Sequence, residues 1–195
     1  MELEDIEKKI TKKTKAIMPV HLFGLMCDMD KIKRIAKKHK LYVIEDAACA
    51  VLSYHKSKHA GIFGDIGCFS FHPRKSLTTG EGGMAVTANR ELATRISTLR
   101  SHGGTVSDLK RHKENDFLLP EHNELGFNYR MTDIQGALGL AQLDKIKRNV
   151  NERRKIAHYF SSELKNSEYL KIPSEPKGYI HSYQSYALLS GPERP

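Results

Sequence analysis

The sequence predicts an α/β fold with a mostly parallel sheet. Two observations carry this: apolar runs that are continuous rather than alternating, as in strands covered on both faces, and stretches of helical periodicity between them. Residues 16–20, Ala-Ile-Met-Pro-Val, form a short apolar run that ends at His21 and Gly24. Asp28 then opens a helical pattern with Met29, Ile32, Ile35 and Ala36 on one face. Leu41 to Ile44 is a second apolar run, and it stops abruptly at Glu45 and Asp46. Strand, helix and strand in this order make a parallel unit.

A Gly-rich basic stretch from Lys56 to Gly64 follows. Residues 66–71 predict a strand, and residues 84–88 another beyond the turn at Gly80, Glu81, Gly82 and Gly83. Arg90 to Ser101 has helical spacing at Leu92, Ile96 and Leu99 and is closed by Gly103 and Gly104. Residues 103–130 have no regular period and are long for a plain connection, so a functional or disordered loop is expected there. Thr132-Asp133-Ile134-Gln135 matches a capping box. It introduces a long helix, with Ile134, Ala137, Leu138, Ala141, Ile146, Val150, Ile156, Tyr159 and Phe160 as its apolar positions. That helix runs to about Leu164 or breaks near Asn149–Asn151. Residues 179–189 are apolar and aromatic enough for the first strand of a unit that the chain does not complete.

The chain has 195 residues, 39% hydrophobic and 28% charged, enough for one sizeable core or one core with part of a second. It has no apolar run long enough to span a bilayer, and its first thirteen residues are charged with no apolar stretch behind them, so a cytoplasmic protein is expected. The three cysteines, Cys27, Cys49 and Cys68, are far apart, which argues against a disulfide framework and against structural zinc. His55 and His59 have i, i+4 spacing, but the intervening Lys56-Ser57-Lys58 lacks the glutamate of a zinc-protease helix and reads as a loop, so no metal site is expected. The formal charge of +9 fits an anionic ligand or simply solvated helix faces such as Lys31, Lys33, Arg34, Lys37, Lys38 and Lys40. Basic residues do not alternate with aromatics in a stripe, and nucleic acid is not the expected partner.

Two residues can carry chemistry. Asp46 stands at the carboxyl end of a buried strand, where ligands of open α/β sheets collect, although an acid there also serves as a cap or turn residue. Lys75 follows Phe69-Ser70-Phe71-His72-Pro73-Arg74 just past a strand end, where apolar neighbours desolvate an amine. A loop lysine by itself is ordinarily just solvated. His21, at another strand end, and His72, beside Lys75, are pocket candidates, with a structural role open for each.

Three segments in order change the weight of these residues. Val43-Ile44-Glu45-Asp46-Ala47-Ala48, Lys75-Ser76-Leu77-Thr78-Thr79-Gly80-Glu81-Gly82-Gly83-Met84, and Leu125-Gly126-Phe127-Asn128-Tyr129-Arg130-Met131-Thr132-Asp133-Ile134-Gln135 together resemble the DegT-type nucleotide-sugar aminotransferases, fold type I enzymes that include perosamine synthases. Weaker likeness runs from Ile10–His21 to His181–Tyr186. The resemblance implies the large domain of an aspartate-aminotransferase-like fold over residues 1–147, and a long helix with the start of a small α+β C-terminal domain over 148–195. It also implies truncation at both ends: the segment carrying the family's phosphate turn and ring-stacking aromatic is expected to be missing, and the small domain to be cut off.

The same resemblance implies pyridoxal 5'-phosphate as cofactor and a homodimer with shared sites. Lys75 would hold the cofactor covalently and move a proton during the reaction. Asp46 would pair with the protonated pyridine nitrogen, and Ser70 would donate to the phosphate. Asn128 would reach the phosphate in the neighbouring subunit's site, and Arg130 its anionic substrate groups, for which a planar guanidinium fork is suited. His21 is carried with Arg130 as a substrate-binding candidate. Cys49 stands where many members have a Gln against the cofactor's phenolic oxygen; a thiol is a weaker partner, and the reading taken is a small buried filler. The implied reaction transfers an amino group from glutamate or glutamine to a nucleotide-linked keto-sugar. An inactive fragment or regulatory homologue is the alternative, and a basic nucleic-acid module, marked by steep salt dependence, is a further one.

Overall fold

The structure, a computed structural model, describes residues 3–104 and 122–191. The remainder of the long aperiodic stretch, 105–121, lies outside the described residues. A four-stranded sheet has the order β1 (Ala16–Ile17), β2 (Tyr42–Asp46), β5 (Ile66–Ser70), β6 (Gly83–Val86). The first three strands are parallel and β6 returns antiparallel, so the sheet is mixed but mostly parallel. β2 does not stop at Glu45: it runs through Asp46, paired Ile44 to Ile66, Glu45 to Gly67 and Asp46 to Cys68.

The helix α1 (Leu3–Lys9) and α2 (Met29–His39) cover one face of this sheet. α2 forms where the spacing predicts it. Asp28 caps it, its carboxylate accepting the Lys31 N–H at 3.0 Å, and Lys40 ends it in a left-handed conformation. Met29, Ile32 and Ala36 sit fully buried with Ile6, Val43, Ala47 and Phe63. Each large side chain there contributes about 1.5–3 kcal/mol of transfer free energy.

The expected loop at Lys56-Ser57-Lys58 is the turn region of a two-stranded hairpin, β3 (Tyr54–His55) and β4 (Lys58–His59), with Lys56 and Ser57 at positive φ. Tertiary pairing explains this, because β8 (Tyr179–Ile180) adds antiparallel to β3 from far along the chain. The expected strand over 179–189 is therefore two short pieces. β8 joins β3, and β9 (Leu189–Ser190) pairs with β7 (Leu170–Lys171).

Two further helices close the description. α3 (Arg90–Arg100) is capped by Asn89 and closed at Gly103, whose N–H bonds the Thr98 carbonyl. α4 (Asp133–Leu164) is one unbroken helix of 32 residues, with both arms of the Thr132–Gln135 capping box formed. Its Ile146 and Val150 pack with Phe71 and Leu77 in a second apolar cluster. No helix among the described residues is long and apolar enough to cross a membrane.

The C-terminal segment is stitched to this frame at Gly24. That residue has φ +99°, and a Cβ there would stand 2.3 Å from Ser182 Oγ. Both the backbone conformation and the close approach demand glycine. Gly24→Ala is expected to destabilise the chain by about 1–3 kcal/mol, read as a lower urea midpoint at unchanged slope.

Candidate active site

Successive residues of a strand face opposite sides of the sheet, so Glu45 and Asp46 diverge. Glu45 points into the core, with no exposed surface. Its Oε1 accepts the N–H groups of Phe63 and Gly64, each at 2.6 Å, and its Oε2 accepts Gly61 N–H at 2.8 Å and His21 Nε2 at 2.9 Å. The loop 61–64 can approach because Gly67 lies opposite Glu45; a Cβ on Gly67 would meet the Gly61 carbonyl oxygen at 2.2 Å. Burial works to raise the carboxyl's pKa, but His21 and the Gly64 and Gly61 amides outweigh it and the net shift is downward.

His21 is thereby corrected from a substrate-binding candidate to a structural residue. It is 1% exposed, its Nε2 serves Glu45 and its Nδ1 accepts the Cys27 N–H at 3.3 Å, which leaves neither ring nitrogen for a ligand. Sequence reasoning treated Glu45 only as a strand stop. An acid within a buried apolar run was the signal that it has partners inside.

Asp46 lies on the other face. Its Oδ1 accepts the Ala48 N–H at 3.1 Å, so it makes the turn contact an acid makes at a strand end and keeps its second oxygen. Cys68, its register partner, shares that face: the thiol is held above its usual range first by partial burial and then by the Asp46 carboxylate. Ser70, two residues further along β5, projects to the same side. Its Oγ accepts the His72 N–H at 3.3 Å and retains a hydrogen to donate.

Lys75 sits in the turn that leaves β5, with its N–H bonded to the His72 carbonyl. Its Nζ is 3.1 Å from Cys49 Sγ. Asp46 and Cys49 are separated by one tight turn, so the amine and the carboxylate come to the same end of β2. Cys49 is not only filler: it is half-buried and faces the lysine. His72 is turned back on its own loop, Nδ1 accepting the Arg74 N–H at 3.2 Å.

Asn128 and Arg130 stand apart from this group. Asn128 pairs with Ser101 in an isolated bridge, and its Oδ1 accepts from Arg130 Nε at 3.3 Å. Both are exposed, amid exposed Leu125, Phe127, Tyr129 and Ile134. A cavity of about 450 Å³ lies elsewhere, between α1, β1 and α2, lined mainly by apolar residues such as Leu3, Ile6 and Ile17, with Lys9, Thr14 and Cys27 as its polar members. Among the described residues no group of three or more His, Cys, Asp or Glu gathers to hold a metal.

The profile of the DegT/DnrJ/EryC1/StrS aminotransferase family matches residues 1–194. The chain belongs to this family. It is 41% identical to a GDP-perosamine synthase of Escherichia coli O157:H7 over 97% of its own length and 49% of that enzyme's. The structure superposes on Helicobacter pylori PseC, an aminotransferase involved in the biosynthesis of pseudoaminic acid, with a TM-score of 0.90 at 31% identity, covering 98% of this chain and 50% of that one. It also matches the PLP-form of the putative sugar aminotransferase Spr1654 from Streptococcus pneumoniae, TM-score 0.87 at 27% identity over 98% and 52% of the two chains. The chain spans about half the length of the curated relatives it matches.

The donor set here fits pyridoxal phosphate: a carboxylate for a protonated ring nitrogen, an amine for an aldehyde, and a hydroxyl at the strand end for a phosphate.

The Glu45 contacts predict a pH dependence. A lowered carboxyl pKa contributes stability that is fully present above the ordinary value of 4.5 and is lost as pH falls through the lowered one. Urea midpoints should therefore fall as the pH is taken below 4.5, and more steeply in the parent than in Glu45→Gln. At neutral pH, Glu45→Ala is expected to cost about 3–5 kcal/mol, because four donors lose their acceptor.

Proposed function

We propose that the chain is the cofactor-binding portion of an aminotransferase that moves an amino group from glutamate or glutamine to a nucleotide-linked keto-sugar. Residues 1–147 belong to its large domain, and 148–195 to the long helix and the start of its small domain. The observation that carries this reading is the contact of Lys75 Nζ with Cys49 Sγ at 3.1 Å, three residues past Asp46 at the carboxyl end of β2. Family membership and the sugar aminotransferases among its relatives support it.

The cofactor, pyridoxal 5'-phosphate, supplies an electron sink when bound. Every other part belongs to the chain. Lys75 Nζ would hold the cofactor through its aldehyde carbon, with loss of water, and as a free amine would take up and return a proton at Nζ. The free oxygen of Asp46 accepts the ring N–H and keeps that proton in place. Ser70 Oγ would donate to the phosphate, and Cys49 Sγ lies beside the lysine amine.

Asn128 and Arg130 act in a neighbouring subunit's site, Asn128 on the phosphate and Arg130 on anionic substrate groups. A homodimer is supported by the exposed apolar residues around them, among them Leu125 at 84%, Ile134 at 83% and Tyr129 at 71%. The cysteines are all free, which fits the reducing cytoplasm.

Incubation with pyridoxal phosphate followed by borohydride and peptide mapping is expected to place the label on Lys75. Lys75→Arg should take none, and Asp46→Ala should need at least about tenfold more cofactor for half-labelling. A label spread over surface lysines instead would sink the reading. Sedimentation should give a dimer of the 22.1 kDa chain, and Ile134→Asp should shift it to monomer at micromolar concentration.

A further inference from the structure

Lys75 is held by more than its own turn. The residue before it and the residue after it are each gripped by a side chain from the C-terminal part of the molecule. Gln184 Nε2 donates to the Arg74 carbonyl at 2.9 Å, across 110 positions of sequence. Arg153 Nη1 donates to Ser76 Oγ at 2.6 Å, across 77 positions. Neither contact arises from the local geometry of the turn. Both are tertiary.

The surroundings show why these grips are firm. Phe71 and Leu77, at the two ends of the segment, are 9% and 4% exposed and pack on Ile146 and Val150 of α4. Arg153 follows Val150 by three residues, so it leaves α4 close to the face that packs on Leu77. Gln184 Oε1 accepts the Ser185 hydroxyl at 3.1 Å, which orients its amide so that the nitrogen faces Arg74. Tyr183, one residue earlier, has φ 46° and is 3% exposed. A tyrosine in the left-handed region persists only where contacts impose it.

Those contacts are present. Tyr183 N–H donates to His181 Nδ1 at 2.9 Å, and burial lowers the His181 imidazole to about 4, so it is neutral and free to accept. Glu175 accepts from Arg154 at 3.0 Å and from the His181 N–H at 3.2 Å, tying the segment to α4. Ser182 Oγ donates to the Cys49 carbonyl at 3.3 Å, so the residue facing Lys75 Nζ is held from the same segment.

We infer that Arg153 and Gln184 are positioning residues for Lys75, fixing its two neighbours and with them the direction in which its amine leaves the turn. The inference rests on the proposed role of Lys75. A lysine amine rides on four methylenes, and its reach into a site is set by where its Cα is held. A displacement of about 1 Å at a reacting group costs on the order of a hundredfold in rate. Docking of residues 175–186 on α4 and competence of Lys75 are therefore linked, and cofactor bound to Lys75 favours the docked segment in return.

Two variants test this: Gln184→Leu, which keeps bulk and removes the donor, and Arg153→Met, which keeps the apolar stem. The first readout is amide hydrogen exchange of the cofactor-free chain, and the second is the rate of borohydride-trapped labelling of Lys75 by pyridoxal phosphate. The expected result is exchange about tenfold faster, confined to residues 72–78, with labelling about tenfold slower and a melting temperature close to the parent's. Arg153→Lys, which retains a donor, should recover part of the labelling rate. Unchanged exchange at 72–78 in both variants overturns the inference, as does faster exchange with an unchanged labelling rate. A parent chain that takes no label on Lys75, while the variants loosen 72–78, overturns the proposed function and supports the grip on the turn. Should Arg153→Met fail to fold, Gln184→Leu, whose contact lies at the surface, decides alone.

Discussion

Two adjacent acids on one strand organise this molecule, and the pleat sends them to opposite sides. Glu45 goes inward and is held by three backbone amides and a histidine, and this anchors the carboxyl end of β2 to the loop 61–64. Asp46 goes outward and is left at a fixed height above the sheet. The interior acid is what makes the exterior one useful, because a strand end without that anchor could fray. A buried carboxylate is costly unless its acceptor capacity is filled, and here four donors fill it.

The chemistry and its geometry come from different parts of the chain. Asp46, Cys49, Ser70 and Lys75 all lie within thirty residues of one another, on β2, β5 and the turns that follow them. The contacts that fix their positions come from α4 and the segment after it. Val150 and Arg153 serve the Lys75 turn from one helix, and Ser182 and Gln184 serve Cys49 and Arg74 from an irregular segment. Residues 181–186 follow no ladder, which lets alternate side chains reach two different carbonyl groups, those of Cys49 and Arg74. The short thiol of Cys49 leaves room for the lysine amine beside it.

Much of the fold was legible because its signals are local. The Asp28 cap, the Thr132–Gln135 capping box and the helical spacing of Met29, Ile32 and Ala36 depend on contacts within one turn, and all formed as expected. The strand starts at 42 and 66 were visible as apolar runs bounded by turns. Two outcomes were not legible, for a shared reason. The segment 179–189 reads as one strand, and His21 reads as a pocket candidate with a structural role open. In each case the deciding partner is distant in sequence: β3 for the broken strand, Glu45 for the histidine.

The sequence by itself determined the α/β class and the order of its elements, and it singled out Lys75 and Asp46 as the candidate residues. It could do so because periodicity, caps and motif spacing are properties of neighbours along the chain. The tertiary structure alone decided which acid faces the core, which histidine is locked away, that Lys75 meets Cys49, and that Arg153 and Gln184 grip the turn between them. Those outcomes depend on strand register and on contacts closed across 24, 26, 77 and 110 positions, and hydrogen bonds over such separations leave no local pattern to read.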